Sequence, residues 1–427
     1  KRDTMKVSIK PNKNNQNIIS IPPSKSMSHR AMIWAGLTNG KSTIGNIDYS
    51  NDILTTIDCM RKLGTNIIQE DKYLVIEGVD KFEIKEKTVV DCSESGSTIR
   101  FLIPIFALSD KEVIFTGSKR LMERPLNVYK EIFEKQGLMF NYQEDGLHIK
   151  GPLKSDTFEI DGSISSQFIT GLLYALPLLK EDSIIKISEP FESKSYIDLT
   201  IQSLKQFNIN IDILENNTYK VYGNQKYTPL KTAIEGDFSQ MSFFCALGQI
   251  NDVVNINGLK MDSLQGDKEI VEIIKNMNGK IDEGLIYRSY PSELQGCVID
   301  LQNCPDLGPI VMALATQAKE KTHIINAGRL RIKESDRILA METELKKLGC
   351  NINSTDSEVF IEGPTQIEGG INLQGHNDHR IVMALSILAT ISNKEISIDE
   401  AHAINKSYPN FFNDLRKLGI EVIENDI

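Results

Sequence analysis

Seven consecutive residues, Ser24-Lys25-Ser26-Met27-Ser28-His29-Arg30, gather cations and hydroxyls behind Pro22-Pro23 and ahead of an apolar stretch, Ala31 to Leu37, that stops at Asn39-Gly40. The proline pair stiffens the approach and Ser is a good N-cap, so the pattern predicts Lys25, Ser26 and Arg30 on the first turns of a helix. A helix start carries free backbone N–H groups and partial positive charge. Lys, Arg and hydroxyls added there make an anion site. Taken alone, the segment reads equally well as a capped helix with a solvated cationic face.

Further cations stand near predicted helix starts: Arg100, Arg124, Lys333, Arg337, Arg380 and Lys406. Singly, each reads as a solvated surface charge. Gathered with Lys25 and Arg30, they would bind two phosphates and a carboxylate, Arg through bidentate contacts and Lys as a mobile charge or proton donor. Lys333 and Arg337, in Arg331-Ile332-Lys333-Glu334-Ser335-Asp336-Arg337, are expected one turn apart on a helix. Asp306 and Glu334 fall in the same motifs, and an acid and a base flanking a reacting centre is what proton transfer requires.

The elements that must position these groups recur. Polar turns open apolar helices at Ser24–Arg30, Glu94–Arg100, Ser163–Gln167, Gly236–Gln240, Pro305–Pro309 and Asn377–Arg380, a period of roughly 70 residues. A second marker keeps the same beat: Lys62-Leu63-Gly64, Lys135-Gln136-Gly137, Gln206-Phe207-Asn208, Met277-Asn278-Gly279, Lys347-Leu348-Gly349 and Lys417-Leu418-Gly419 each end an amphipathic helix with Gly or Asn, as suits the left-handed C′ position. Short alternating strands follow, as in Thr65–Gln69 with Tyr73–Glu77. The chain therefore reads as α/β, with six units of strand, helix, strand, helix and strand pair. Three units make a plausible domain. The expected division is 22–236 against a discontinuous domain of 1–21 plus 237–427, in which a leading strand between Val7 and Ile21 completes the last unit. If the units pack alike, their first helices aim their N-termini at one electropositive region between the domains.

The 427 residues, 40% hydrophobic and 25% charged, suffice for two buried cores. A net charge of −10 argues against a general nucleic-acid or membrane binder. No apolar run is long enough to span a bilayer and no signal peptide is visible, so a cytoplasmic protein is expected. Met5 reads as the natural start, and the polar tract Asn12–Asn17 as a surface loop. The six cysteines form no CxxC pair and read as buried thiols. His148, His323, His376 and His402 lack metal-ligand spacing, and His29 and His379 read as scaffold residues.

Together the motifs resemble those of 5-enolpyruvylshikimate-3-phosphate synthases over essentially the whole chain. The resemblance rests on Ser24-Lys25-Ser26 with Arg30, Gly96 with Arg100, Glu123-Arg124-Pro125, Ser165-Ser166-Gln167-Phe168, Gln265-Gly266-Asp267, Pro305-Asp306, Arg331 to Arg337, Asn377-Asp378-His379-Arg380 and Lys406. It implies two similar domains, each of three βαβαββ units, with the active site in the cleft between them. It also implies transfer of the enolpyruvyl group of phosphoenolpyruvate to the 5-hydroxyl of shikimate 3-phosphate by addition and elimination, without metal or organic cofactor. By the same resemblance Lys25, Ser26, Arg30, Ser165, Ser166, Gln167, Ser193, Tyr196, Asp306 and Lys333 hold shikimate 3-phosphate. Lys25, Gly96, Arg100, Arg124, Gln167, Arg337, Arg380 and Lys406 hold phosphoenolpyruvate. Asp306 is expected to take the hydroxyl proton, and Glu334 and Lys25 to move protons at the pyruvyl carbons. The small Gly96 is expected to let the backbone approach the ligand. A monomer acting on these two substrates, with no nucleic-acid or membrane partner, is expected.

Three positions depart from the family pattern: Glu94-Ser95 where many members carry Asn-Ala, Phe101 where Pro is common, and Arg329 where some place Asn. The nearest rival is UDP-N-acetylglucosamine enolpyruvyl transferase, which typically has Lys-Asn where this chain has Lys25-Ser26, and a reactive Cys on the loop spanning Ser118 to Glu123. A non-catalytic repeat scaffold would explain the period but not the placement of the cations.

Overall fold

The computed structural model describes residues 5–79, 81–192 and 194–426. It contains six four-stranded sheets of one design. In each, a leading strand pairs in parallel with the strand that follows the first helix, and that strand pairs with one of two antiparallel strands, which form a hairpin in all but the last sheet. Thus Thr88–Asp91 lies parallel to Glu112–Thr116, which pairs antiparallel with Gly146–Lys150, itself antiparallel to Met139–Gln143. A crossover helix makes the parallel pair possible, and a tight turn makes the hairpin.

The chain divides into two compact units, Lys1–Pro22 with Glu235–Ile427, and Pro23–Ile234. Each holds three of the sheets and its own apolar core. Both are closed by distant pieces of chain. In the Pro23–Ile234 unit, Lys231–Ala233 returns to lie parallel to Lys41–Gly45 and serves as leading strand for the first module. In the other unit, the expected single strand between Val7 and Ile21 is two strands with different destinations. Met5–Lys10 enters the last sheet between Ile396–Asp399 and Glu421–Asp426, while Ile18–Ser20 lies parallel to Val254–Asn257. The Asn12–Asn17 tract between them is a loop, bonded through Asn12 and Asn14 to Gly419 and Asp252.

Strand alternation fixes which face is inward: Thr157–Asp161 buries Phe158 and Ile160 and exposes the residues between them. The first helix of each module is apolar nearly all round and lies inside. All eight residues of Gly308–Ala315 and all eleven of His379–Ala389 are buried. Helices Phe238–Ile250, Gly308–Ala315 and His379–Ala389 pack against one another. In the Pro23–Ile234 unit, an aromatic cluster joins the first helices, with Trp34 and Phe101 at 5.7 and 5.5 Å from Tyr174. The second helices are amphipathic and end at the expected markers, although in the fourth the left-handed residue is Asn278 and not the Gly279 that closes the marker. Gly64, Gly137, Asn208, Asn278, Gly349 and Gly419 have φ of 94°, 69°, 63°, 64°, 86° and 83°. Among the described residues, no helix is long and apolar enough to cross a membrane.

Candidate active site

Three helix starts in the Pro23–Ile234 unit carry the predicted groups. Ser24 caps helix Lys25–Gly36 by accepting from the Met27 N–H at 3.2 Å. One residue on, Lys25 Nζ pairs with Asp52 Oδ2 at 2.8 Å, a partner the sequence reading missed. Arg30 is buried, not solvated. Its Nε donates to Thr200 Oγ1 at 2.8 Å, and its Nη1 donates to the Ser26 carbonyl at 3.1 Å and to Ser26 Oγ. Thr200 Oγ1 donates in turn to the Tyr196 carbonyl at 2.9 Å. Ser26, Arg30 and Tyr196 thus form one network, with the Arg30 guanidinium 5.6 Å from the centre of the Phe101 ring.

Ser95 and Ser165 cap the next two starts, at Gly96–Phe106 and Ser166–Ala175. Arg100 Nη1 donates to Gln167 Oε1 at 2.8 Å and its guanidinium lies 5.1 Å from the Phe168 ring centre. Burial first, and Arg124 beside it second, lower the Arg100 pKa to about 10, so it stays a cation at neutral pH. Arg124 is the C-cap of the short helix Lys119–Glu123 and so stands at a helix end, contrary to the expectation that it lies near a start. Its guanidinium instead reaches the start of another helix. A Cβ built on Gly96 would stand 2.6 Å from Arg124 Nη1. The small residue therefore makes room for that cation. Ser166 is buried, and Ser193 lies outside the described residues.

Two departures from the family pattern have structural reasons. Ser95 accepts from the Thr98 N–H at 3.2 Å and joins a hydroxyl chain through Thr98 and Thr56 to His29 Nε2, with Thr56 and Thr98 Oγ1 atoms 2.7 Å apart. Phe101 fills the core beside His29, its ring edge-on at 5.2 Å. Burial drives the His29 pKa down to about 3, so this imidazole is neutral, as a scaffold residue should be.

In the second unit the cations converge on carboxylates. Asp306, in the turn Pro305–Leu307, faces Arg337 Nη1 at 3.1 Å and Lys333 Nζ at 3.6 Å, and Arg380 Nη1 donates to its carbonyl at 3.3 Å. Arg337 is only 1% exposed and is shared by three acids. Its Nε meets Asp378 Oδ2 at 2.9 Å and its Nη2 meets Glu334 Oε2 at 2.7 Å, beside the Asp306 contact. Asp378 is itself fully buried and caps helix His379–Ala389 by accepting from the Arg380 N–H. Ser335 Oγ also donates to it at 2.8 Å. The expected helix through Lys333 is not formed. A 3-10 turn runs from Gly328 to Ile332, Lys333 is extended, and Asp336 caps a helix starting only at Arg337. Asp336 prefers the capping role to a mid-helix one, and the break lets Lys333 and Arg337 reach one carboxylate from two directions. Lys406 ends the turn Ala401–Lys406, likewise away from a helix start, and its Nζ donates to the Asn377 carbonyl.

Burial works to raise the Asp306 pKa, but Arg380, Lys333, Arg337 and His379 outweigh it and hold the carboxyl well below the usual range. A second acid, Asp267, is only 7% exposed. Burial first, then Asp306 and Asp237, push it up to about 7 against the pull of Arg380 and a hydrogen bond with Ser239. Its turn is fastened to the helix start at Phe238 by Gln265, whose Oε1 accepts from the Phe238 N–H at 3.0 Å and whose Nε2 donates to the Gly236 carbonyl at 2.9 Å. The Gln265-Gly266-Asp267 motif carried the resemblance, yet no role was read from it. Burial and His379's position beside Arg380 lower the His379 pKa to about 3. Each unit thus gathers several cations, and one adds an acid and a base whose proton affinities are driven apart. That suits proton transfer on an anionic substrate.

The chain matches the family model of EPSP synthase (3-phosphoshikimate 1-carboxyvinyltransferase) over residues 9–415. It is 46% identical over 414 residues to the 3-phosphoshikimate 1-carboxyvinyltransferase of Clostridium acetobutylicum, covering 95% of this chain and 96% of that one. It is 44% identical over 414 residues to that of Clostridium beijerinckii, covering 94% of each. Among solved structures, an EPSP synthase from Acinetobacter baumannii shares the fold with a TM-score of 0.87 at 22% identity, over 99% of this chain and 100% of that chain. The chain therefore belongs to the EPSP synthase (3-phosphoshikimate 1-carboxyvinyltransferase) family and is an enolpyruvyl transferase.

Proposed function

We propose that the two clusters act on one pair of substrates, and that the protein transfers the enolpyruvyl group of phosphoenolpyruvate to the 5-hydroxyl of shikimate 3-phosphate. The observation that carries this reading is the grouping of Asp306 with Lys333, Arg337 and Arg380 in a chain whose relatives are named for that reaction. Ser26, Arg30, Ser165, Ser166, Gln167, Ser193, Tyr196, Asp306 and Lys333 are the proposed shikimate 3-phosphate ligands. Lys25, Gly96, Arg100, Arg124, Gln167, Arg337, Arg380 and Lys406 are the proposed phosphoenolpyruvate ligands.

The reaction protonates the methylene carbon of phosphoenolpyruvate while the hydroxyl oxygen bonds to the neighbouring carbon. The resulting tetrahedral intermediate then expels phosphate and gives up a proton from the new methyl carbon, which restores the double bond. Asp306 takes the hydroxyl proton in this reading. Held by three cations it is a weak base, and arriving phosphate and carboxylate groups compete for Arg337, Arg380 and Lys333. Drawing those cations away restores proton affinity to Asp306 when the substrate is in place. In the same reading Glu334, which is bonded to Arg337 and partly exposed, and Lys25 handle protons at the pyruvyl carbons. Fixed cations in a water-poor site stabilise the charge that gathers on the departing phosphate.

All the named groups belong to one chain, so the reading needs no second copy. Six free thiols, five of them buried, fit a reducing compartment, and on that ground we place the protein in the cytoplasm. Release of inorganic phosphate tests the assignment. It is expected on mixing the protein with phosphoenolpyruvate and shikimate 3-phosphate, and not when UDP-N-acetylglucosamine replaces the acceptor. The reverse preference would establish the rival enolpyruvyl transfer.

A further inference from the structure

Helix Arg337–Lys347 presents Arg337 at its start and a second functional-looking acid two turns later. The Glu344 side chain is fully buried. Its Oε1 accepts from the Gln374 N–H at 2.9 Å and from Lys347 Nζ at 2.7 Å, and its Oε2 accepts from His376 Nε2 at 2.8 Å. An ion buried so completely stands only because its oxygens are occupied. Gln374 ends strand Asn372–Gln374, His376 lies on the short link from it to helix His379–Ala389, and Lys347 ends the helix that carries Glu344. That link is conformationally unfavourable. His376 and Asn377 are consecutive left-handed residues, with φ of 55° and 49°, a region that side chains other than Gly seldom occupy, although Asn does so more readily than His.

What the link positions is specific. The Asn377 carbonyl receives Lys406 Nζ. Asp378, the next residue, receives Arg337 and caps the helix at Arg380. The same helix that supplies Arg337 therefore also fastens, through Glu344, the turn that places Lys406 and Arg380. Unfavourable backbone persists where its surroundings over-determine it, and such places concentrate at functional sites.

We infer that the Glu344–His376 pair is a positioning device for the phosphoenolpyruvate-side cations, holding the His376–Asn377 turn at which Lys406 docks. The inference rests on the assignment of Lys406 and Arg380 proposed above. Neither Glu344 nor His376 touches substrate in this account; both act through the turn.

Two substitutions separate positioning from bulk stability. His376→Gly removes the hydrogen bond and also relieves the left-handed strain, so the fold is not penalised by the backbone. His376→Gln keeps an amide donor near the place of Nε2. Steady-state phosphate release is measured with each substrate varied in turn, alongside the thermal midpoint. For His376→Gly, kcat/KM for phosphoenolpyruvate is expected to fall about tenfold, as a modest misplacement of ligands does, while KM for shikimate 3-phosphate moves by roughly twofold or less; the vacated Glu344 oxygen lowers the midpoint, so the kinetics are read well below it. His376→Gln is expected to recover most of the loss. Unchanged phosphoenolpyruvate kinetics in His376→Gly, or equal damage in His376→Gln, would overturn the inference. Lys406→Met serves as the parallel control. If it leaves phosphoenolpyruvate kinetics intact, the assignment of Lys406 itself is overturned, and the positioning role with it.

Discussion

Arg337 shows what a single side chain carries here. A guanidinium with 1% exposure is stable only when its donors are taken, and Asp306, Glu334 and Asp378 take them. The sequence marked Arg337, Asp306 and Glu334 as chemistry, but Asp378 only as a turn, because nothing local distinguishes a cap from a cap that also holds an arginine. Asp267 was less legible still, since its burial comes from residues far along the chain. Its carboxyl gives a pH test with a definite sign. An ordinary Asp titrates near 3.8, and Asp267 in the folded protein near 7. Between those values the folded state keeps a proton that the unfolded state has released. The associated stability is complete below the lower value and lost as pH rises through the higher one. Asp267→Asn removes that loss. Its gain in thermal midpoint over the wild type is therefore expected to be larger at pH 8 than at pH 5, as calorimetry would show. A difference independent of pH would mean that Asp267 is ionised throughout. Asp306 has the opposite sign, and its stabilising contribution fades only far into acid.

At the scale of elements, the local signals were legible and the tertiary ones were not. Ser24, Ser95, Ser165, Asp237 and Asp378 cap the helices that their positions predicted, and six Gly or Asn residues stop the second helices in the left-handed region. Capping is decided within four residues, so sequence suffices. The helix through Lys333 failed because a capping Asp overrode the spacing argument. The division of the N-terminal segment into two strands failed to show because the partners that separate them, Ile396–Asp399 and Val254–Asn257, are hundreds of residues away. Nor could the sequence show Lys25 bound to Asp52, or Glu344 to His376. Ser95 offers a test at this scale. The family's frequent Ala at that position would remove the cap and leave Thr98 with one hydroxyl partner fewer. Ser95→Ala is expected to cost about 1 kcal/mol, read as a lower denaturation midpoint in urea. An unchanged midpoint would show that the hydroxyl chain to His29 contributes nothing beyond packing.

Across the whole molecule, one module is used six times, and distant chain closes each unit: the two chain ends in one and Lys231–Ala233 in the other. The period disclosed the module and the count. It could not disclose which strand completes which sheet, since pairing across the chain leaves no periodic trace. Fold similarity to a solved relative at 22% identity accords with a design set by patterning more than by particular residues. The functional claim is narrower: cations from both units serve one reaction. Lys25 belongs to one unit and Lys406 to the other. Both pair near the surface, so their loss should leave the fold intact. The decisive measurement is phosphate release by Lys25→Met and by Lys406→Met at saturating shikimate 3-phosphate, with thermal midpoints recorded. Each variant is expected to fall about a hundredfold or more in kcat/KM for phosphoenolpyruvate while melting like the wild type, the scale on which a missing charge donor slows group transfer. Near wild-type turnover in either variant would contradict the account, because the reaction would then need only one of the two units' cations.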